Sequence, residues 1–298
     1  MRFDHRVFYL ENPERYARFR EEKLSLVPAR AEDLRLEIQD PFRLTEAERA
    51  ALKEKLIRYN AVLYSLPDSL RDREDPEIPM ALGRACGMFD LDHNPLADQG
   101  VTHLEYREAE PEATYSPADY IPYSRRPLSW HTDGYYNENE NQVRAVLLHC
   151  VRPAASGGEN RILDHEIAYI QLRDENPDYI RALNQPQAMT IPANHDAEGR
   201  ELRAAVTGPV FRVYPDGGLH MRYSARKKWI EWHPEARAAA ERLREILSDE
   251  NPYALQIRLE AGQGIIMYNI PHNRTAFQDE EGRPGRLIYR ARYRGIVG

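Results

Sequence analysis

Cysteine is nearly absent from this chain: Cys86 and Cys150 are the only two in 298 residues. Two thiols cannot build a disulfide framework, and they lack the paired spacing of a zinc ribbon or a thioredoxin-type site, so a reducing cytoplasm is the expected setting. Positive charge is also in deficit, with 48 acidic residues against 41 basic ones and a formal charge of -7. A chain without a basic field is a poor match for a phosphate backbone, which excludes nucleic acid as the expected partner. No apolar run approaches the roughly 18 residues that a membrane helix needs. The opening MRFDHRVFYLENPERY interrupts every short apolar stretch with a charge, so neither a span nor a secretion signal is expected. Internal repeats, low-complexity tracts and Gly/Ser linkers are missing as well.

What remains is a continuous chain, 42% hydrophobic and 30% charged, with apolar material for a sizeable core. It reads as one domain over residues 1–298 acting on a small molecule, and association into a homo-oligomer is compatible with it. TEAERAALKEKLIRY, from Thr45 to about Tyr59, has helical periodicity behind a capping Thr, with Glu48 completing a capping box. YNAVLYSL follows as a buried strand, a second helical stretch lies around Met80 to Cys86, and VTHLEYREAE alternates like a strand, closing a helix-strand region over about 1–100. PLSWHTDGYYN and VRAVLLHCV read as strand, loop and strand, ended by the turn SGGEN. Helical patterns over 164–183 and 224–248 interrupt the later strands, and the last fifty residues return to extended patterns: YALQIRLE, IIMYNI and RLIYRARYRGIV. Many strands separated by turns, with few parallel βαβ units, indicate a mainly β, α+β protein: an antiparallel sandwich or jelly roll with flanking helices.

Chemistry has to be found among ten histidines. On a strand, residues i and i+2 share a face, so His-x-Asp/Glu can offer an imidazole and a carboxylate to one ion. Composition alone gives about two chance occurrences, and the chain has three: His103/Glu105, His131/Asp133 and His233/Glu235. In His233-Pro234-Glu235 the proline suits the first turn of a helix, so Glu235 reads as a helix-dipole partner. His103/Glu105 lies on a plausible strand with charged flanks and reads as an exposed strand face. His131/Asp133 follows Trp130 and precedes Gly134-Tyr135-Tyr136, which suits an ion site at a strand end with an aromatic wall. A third ligand would come from elsewhere, and His272, just after IIMYNI, is best placed. Downstream, Arg286, Ile288, Arg290, Arg292 and Arg294 alternate with Leu287, Tyr289, Ala291 and Tyr293. Taken alone, that pattern favours a core Leu/Tyr face and a solvent Arg face; the alternative is that Arg286 and Arg290 line a pocket and grip carboxylates.

Taken together, WHTDGYYN, LLHCVRPAASGGEN, LEAGQGIIMYNIPHNRTAF and RLIYRARY resemble the taurine dioxygenase and TfdA-like family of Fe(II), 2-oxoglutarate-dependent oxygenases. The order and spacing carry the resemblance: His-x-Asp, a Gly-Gly turn, a second His in an H-x-R loop, then one Arg about fourteen residues on and another four beyond. The resemblance implies a jelly-roll core in which His131, Asp133 and His272 form a 2-His-1-carboxylate iron triad with three positions open, two for 2-oxoglutarate and one for dioxygen. It implies Arg286 on the distal carboxylate of 2-oxoglutarate, Arg290 on an anionic group of the substrate, and Arg274 in the H-x-R loop. Where the family commonly has Thr after Gly-Gly-Asp, this chain has Asn160 after Glu159, whose amide could donate the same bond to the keto acid. The implied reaction is hydroxylation of an unactivated C–H bond with loss of CO2 and formation of succinate; desaturation or cyclisation differ only after hydrogen abstraction.

For the substrate, Arg290, Arg222 and the Tyr135-Tyr136-Asn137 cluster suggest a small polar molecule with a carboxylate or sulfonate, and nearby Glu138 and Glu140 are equally compatible with an amino acid. The loops between Tyr115 and Arg126 and around Asn194 are the expected covers of the site. Two rivals stand beside this reading. A zinc hydrolase could use the same His-Asp-His set to activate water but has no evident use for the arginine pair. A non-catalytic binding module on the same fold needs neither the ligands nor Arg286.

Overall fold

The run RLIYRARYRGIV becomes the longest strand, Leu287–Ile296, and the architecture is built around it. In the computed structural model, which describes residues 4–92, 100–106, 121–196, 198–226 and 229–296, this strand pairs antiparallel with Ala145–Arg152 on one side. On the other side it pairs with both Met88–Leu91 and Val101–Glu105. Beyond Ala145–Arg152 come Gln263–Met267, Ala61–Ser65 and Arg35–Glu37, the last two running parallel, which completes a seven-stranded sheet. A second, antiparallel sheet has the order Leu255–Ile257, Asn160–Ile162, His272–Arg274, Leu128–His131. Val146, Leu148, Cys150, Ile265, Met267 and Ile288 from one face of the large sheet share a buried cluster with Ile162 and Ile257 of the small one. Two sheets packed face to face through alternate residues give the jelly roll.

Helices cover the outside, each for a reason visible in its residues. Glu46–Tyr59 begins at Thr45, whose Oγ1 accepts from the Glu48 N–H at 3.2 Å while the Glu48 carboxylate accepts from the Thr45 N–H at 2.7 Å, the reciprocal cap that the sequence encodes. Its Leu52 and Leu56 join Ile78 and Leu82 of helix Glu77–Ala85 against Val62, Leu147, Ile266 and Tyr289 on the outer face of the large sheet. Each fully buried leucine of this kind contributes about 1.5–3 kcal/mol. Gly264 makes room for the same layer: a Cβ there would lie 2.3 Å from the Tyr64 ring and 2.4 Å from the Leu148 carbonyl.

Two helical expectations are corrected. The stretch 164–183 is two helices, His165–Glu175 and Pro177–Leu183, because Asn176 is extended ahead of Pro177 and caps the second helix with its side chain. The helix expected over 224–248 is confined to Arg237–Ile246. Ahead of it Glu231–Trp232 is extended, paired with Met189–Ile191, and Pro234 opens a 3-10 turn. All three helices bury their apolar faces with Trp130, Met189 and Phe211 in a third core. Among the described residues, no helix is long and apolar enough to cross a membrane.

Candidate active site

The small sheet brings the chemistry together. Its strands Leu128–His131 and His272–Arg274 are antiparallel neighbours with His131 directly opposite His272, so the two rings meet with centroids 4.3 Å apart. Asp133, two residues past the strand end, points to the same place, and its Oδ1 lies 3.6 Å from His131 Nε2. Ligand atoms of His131, Asp133 and His272 all lie within 4.8 Å of one another, and all three residues are buried.

Both histidines are held in one tautomer. Nδ1 of His131 lies 2.9 Å from the Ser129 carbonyl, and Nδ1 of His272 lies 2.9 Å from the Ile270 carbonyl. A carbonyl only accepts, so each Nδ1 carries the proton and each Nε2 is left as a lone-pair donor. Burial, with His131 alongside, pushes His272 down to about 4, which keeps it neutral. Burial by itself would raise the Asp133 carboxyl, but the Arg290 and Arg292 cations outweigh it and hold the group well below the usual carboxylate range. Two imidazoles and one carboxylate, buried and convergent, are a donor set that fits a divalent first-row metal such as Fe(II).

Arg290 and Arg292 of strand Leu287–Ile296 are buried, as is Arg286 just ahead of it, contrary to the solvent face that their alternation alone favours, while Arg294 is half-buried and pairs with Asp90. Arg290 Nη1 sits 3.3 Å from both Asp133 oxygens. Arg292 donates to the Tyr136 hydroxyl at 3.0 Å and pairs with Asp92. Arg286 is 6% exposed and its Nη1 is buried with no hydrogen-bond partner among the described residues. Its guanidinium lies 5.1 Å from the Phe277 ring centroid, and burial pushes it down to about 10. A buried cation with an unused donor fits an anion that the protein does not itself supply, such as the distal carboxylate of 2-oxoglutarate.

With this geometry in view, the similarities to known proteins become informative. The model of the taurine catabolism dioxygenase TauD, TfdA family matches residues 22–292. The chain belongs to that family. A uridine-5'-phosphate dioxygenase from Amycolatopsis sp is 30% identical over 171 residues, 53% of this chain and 58% of the relative. A second from Streptomyces sp matches equally well over 60% of its length, so the matched part of the chain spans little more than half of these curated relatives. Among solved structures, a taurine dioxygenase from Burkholderia xenovorans aligns with a TM-score of 0.57 at 20% identity, covering 89% of this chain and 87% of that one. An asparagine oxygenase in complex with Fe(II), 2S,3S-3-hydroxyasparagine and succinate aligns at 0.52 and 16% identity, covering 92% and 89%. At these identities the structural likeness establishes the oxygenase jelly roll.

Within this family's frame, several expected site residues take other places. Arg222, expected at the substrate, is 2% exposed and holds three backbone carbonyls instead: Tyr135 at 2.8 Å, Met189 at 3.3 Å and Val206 at 2.9 Å. Its donors are engaged in fixing the wall of the barrel, which corrects the substrate role. Asn160 Nδ2 donates to the Asn273 carbonyl at 2.8 Å, so the amide expected at the keto acid ties two strands together. Trp130 alternates away from its neighbour His131 and buries its ring among the helices, with the indole N–H on Asp249, so it is no wall of the ion site. Tyr135 is half-buried, edge-on to Tyr136 at 5.3 Å. His103, read as part of an exposed face, is half-buried against Tyr289. Arg274 is structural in its contacts, donating to the carbonyls of Pro122, Ser124 and Arg126. The cover expected between Tyr115 and Arg126 falls outside the described residues up to 120, and Arg274 anchors the remainder. One residue had no motif to announce it: Asn269, buried in the left-handed backbone region with φ 45°. A lone polar residue closing the apolar run IIMYNI was its only trace.

Proposed function

We propose that the chain is an Fe(II)- and 2-oxoglutarate-dependent dioxygenase that oxidises, by hydroxylation in its simplest form, an unactivated C–H bond of a small anionic molecule. The observation that carries this reading is the convergence of His131, Asp133 and His272, beside which stands a separate one: a buried Arg286 whose Nη1 has no partner among the described residues. In this reading His131 and His272 present Nε2 to the metal and Asp133 presents its carboxylate. When bound, iron with 2-oxoglutarate and dioxygen supplies the oxidising power for hydrogen abstraction, with release of succinate and CO2. Arg286 pairs with the distal carboxylate of 2-oxoglutarate and so orients the keto acid. Once Asp133 ligates the metal, Arg290 is left with a buried charge that a substrate anion can neutralise. We take residues 1–298 as one oxygenase domain working in the cytoplasm on a small-molecule substrate.

The finer proposal concerns that substrate. Relatives named for uridine 5'-phosphate make a nucleoside monophosphate the first class to test, ahead of the carboxylate, sulfonate or amino acid suggested by sequence. A phosphate monoester suits Arg290 as a forked partner, and the half-buried Tyr135 and Tyr136 rings offer flat surface to a base. The test begins with anaerobic Fe(II) and 2-oxoglutarate titration, read by the visible charge-transfer band of the chelated keto acid. The band is expected in the wild type and absent in Asp133→Ala; a folded, iron-loaded protein with no band favours the zinc hydrolase or binding module. Succinate release is then measured with uridine 5'-phosphate and with amino acids. Stimulation by an amino acid, with none by nucleotides, rejects the nucleotide proposal.

A further inference from the structure

We propose that Asn269 is the positioning residue that sets the spacing between Asp133 and His272, the two triad members contributed by opposite halves of the chain. The proposal rests on the reading that the triad holds iron. Asn269 is 1% exposed, and its amide is engaged chiefly with Asp133. Oδ1 accepts from the Asp133 N–H at 2.8 Å, while Nδ2 donates to the Asp133 carbonyl at 2.9 Å and to the Val143 carbonyl at 2.6 Å. The side chain therefore grips both polar groups of the Asp133 backbone.

The same segment serves His272. Asn269 lies three residues before it, and between them Ile270 supplies the carbonyl that holds His272 Nδ1. Four residues thus carry one ligand, the group that sets its tautomer, and a clamp on another ligand 136 positions away in sequence. The metal-facing loop is fastened from its other side too: the Thr132 N–H donates to the Tyr223 carbonyl at 2.9 Å, and the Tyr223 N–H donates to Thr132 Oγ1 at 3.0 Å. Only Asn meets every requirement at 269. The positive φ favours Gly, Asn or Asp, Gly has no clamp, and Asp would set an oxygen against two carbonyl oxygens where Nδ2 now donates.

The experiment compares two buried, left-handed asparagines. Asn269→Gly keeps the backbone conformation and deletes the clamp. Asn60→Gly is the matched control: Asn60 has φ 57° and is 4% exposed, but its side chain donates to Asp164, which is not a member of the triad, and a glycine there keeps the backbone carbonyl that accepts from the Tyr268 N–H. Fe(II) affinity is measured anaerobically by the charge-transfer titration with saturating 2-oxoglutarate, and independently by the rise in Tm that Fe(II) produces. Asn269→Gly is expected to bind Fe(II) roughly ten- to a hundredfold more weakly, as when a group orienting a metal ligand is removed, and to show a smaller Fe(II)-induced rise in Tm. Asn60→Gly is expected to lower the metal-free Tm while keeping wild-type Fe(II) affinity. The role is overturned if folded Asn269→Gly binds Fe(II) as tightly as the wild type, or if Asn60→Gly weakens Fe(II) equally. Should Asn269→Gly fail to fold, Asn269→Asp, which keeps the volume and the acceptor but loses both N–H donors, faces the same criterion. A wild type that binds no Fe(II) overturns the proposed function and this role with it, whereas normal wild-type binding with unaffected variants overturns the role alone.

Discussion

Replacing Arg286 by Met should make the ligand-free protein more stable and its grip on 2-oxoglutarate much weaker. The guanidinium is 6% exposed, one of its nitrogens has no partner among the described residues, and burial has pushed it from its ordinary value down to about 10. A depression of that size corresponds to about 3 kcal/mol of cost for holding the cation in the fold. The sign follows from the linkage: for a base lowered on folding, the cost is fully present below about pH 10 and is relieved only above it. It therefore applies in full at neutral pH, and Met, of similar length and able to pack on Phe277, removes it. Cosubstrate binding should move the other way. Removing one partner of a buried, forked charge pair costs about 2–5 kcal/mol, or roughly thirty- to several-thousandfold in Kd. Thermal unfolding of the metal-free protein reads the first effect, and anaerobic titration of the Fe(II)-loaded protein with 2-oxoglutarate reads the second. A variant that melts well below the wild type and still binds 2-oxoglutarate with unchanged affinity would refute the assignment of this cation to the keto acid.

Other perturbations test the remaining structure. Arg222→Ala strands three carbonyls in the barrel wall and should cost roughly 3 kcal/mol in denaturant unfolding; a variant of wild-type stability with only a raised substrate KM would return Arg222 to the substrate site. Burial pushes His149 down to about 4 and His220 down to about 3. The stability these neutral rings contribute is present above their ordinary value near 6.5 and is lost as pH falls toward their folded values. The urea midpoint should accordingly drop as pH is lowered from about 6.5 to about 4.5, His149→Phe should reduce that dependence, and a flat midpoint in the wild type argues against it.

The legible parts of this molecule are those encoded locally. Thr45 and Glu48 wrote their capping box into four residues, and the largely aliphatic stretches within VRAVLLHCV and IIMYNI lie in the buried strands Ala145–Arg152 and Gln263–Met267. The triad was legible for the same reason in part, since His-x-Asp fixes two ligands to one strand end, but pairing it with His272 needed the family's spacing. Sheet register made the meeting, and no local pattern states that His131 lies opposite His272. The arginine strand misleads for a physical reason: alternation reports that two faces differ, not which one meets solvent, and here both are buried, one under helices and one under the small sheet. Arg222 misled because a guanidinium's five donors suit backbone carbonyls as well as a substrate anion. Asn269 was invisible because its significance lies in a partner 136 residues away.

Arg290 gives the last prediction, because it and the metal compete for the same neighbour. Its Nη1 stands 3.3 Å from both Asp133 oxygens, longer than the 2.7–2.9 Å of a strong charge-assisted bond, and its Nε is buried without a partner among the described residues. The pair neutralises a buried carboxylate without satisfying the arginine. Arg290→Met should leave that carboxylate uncompensated and lower the metal-free stability, by about 3–5 kcal/mol if the charge persists and by less if Asp133 takes up a proton. Fe(II) brings its own charge to Asp133 and replaces the missing cation, so the rise in Tm on adding Fe(II) should be larger in the variant than in the wild type. A merely packed arginine would predict equal rises, since its loss would lower both states together. Equal rises, or a metal-free Arg290→Met as stable as the wild type, would show that Arg290 does not carry the balance of charge at Asp133, and with it would go the argument that a substrate anion must complete the site once iron is bound.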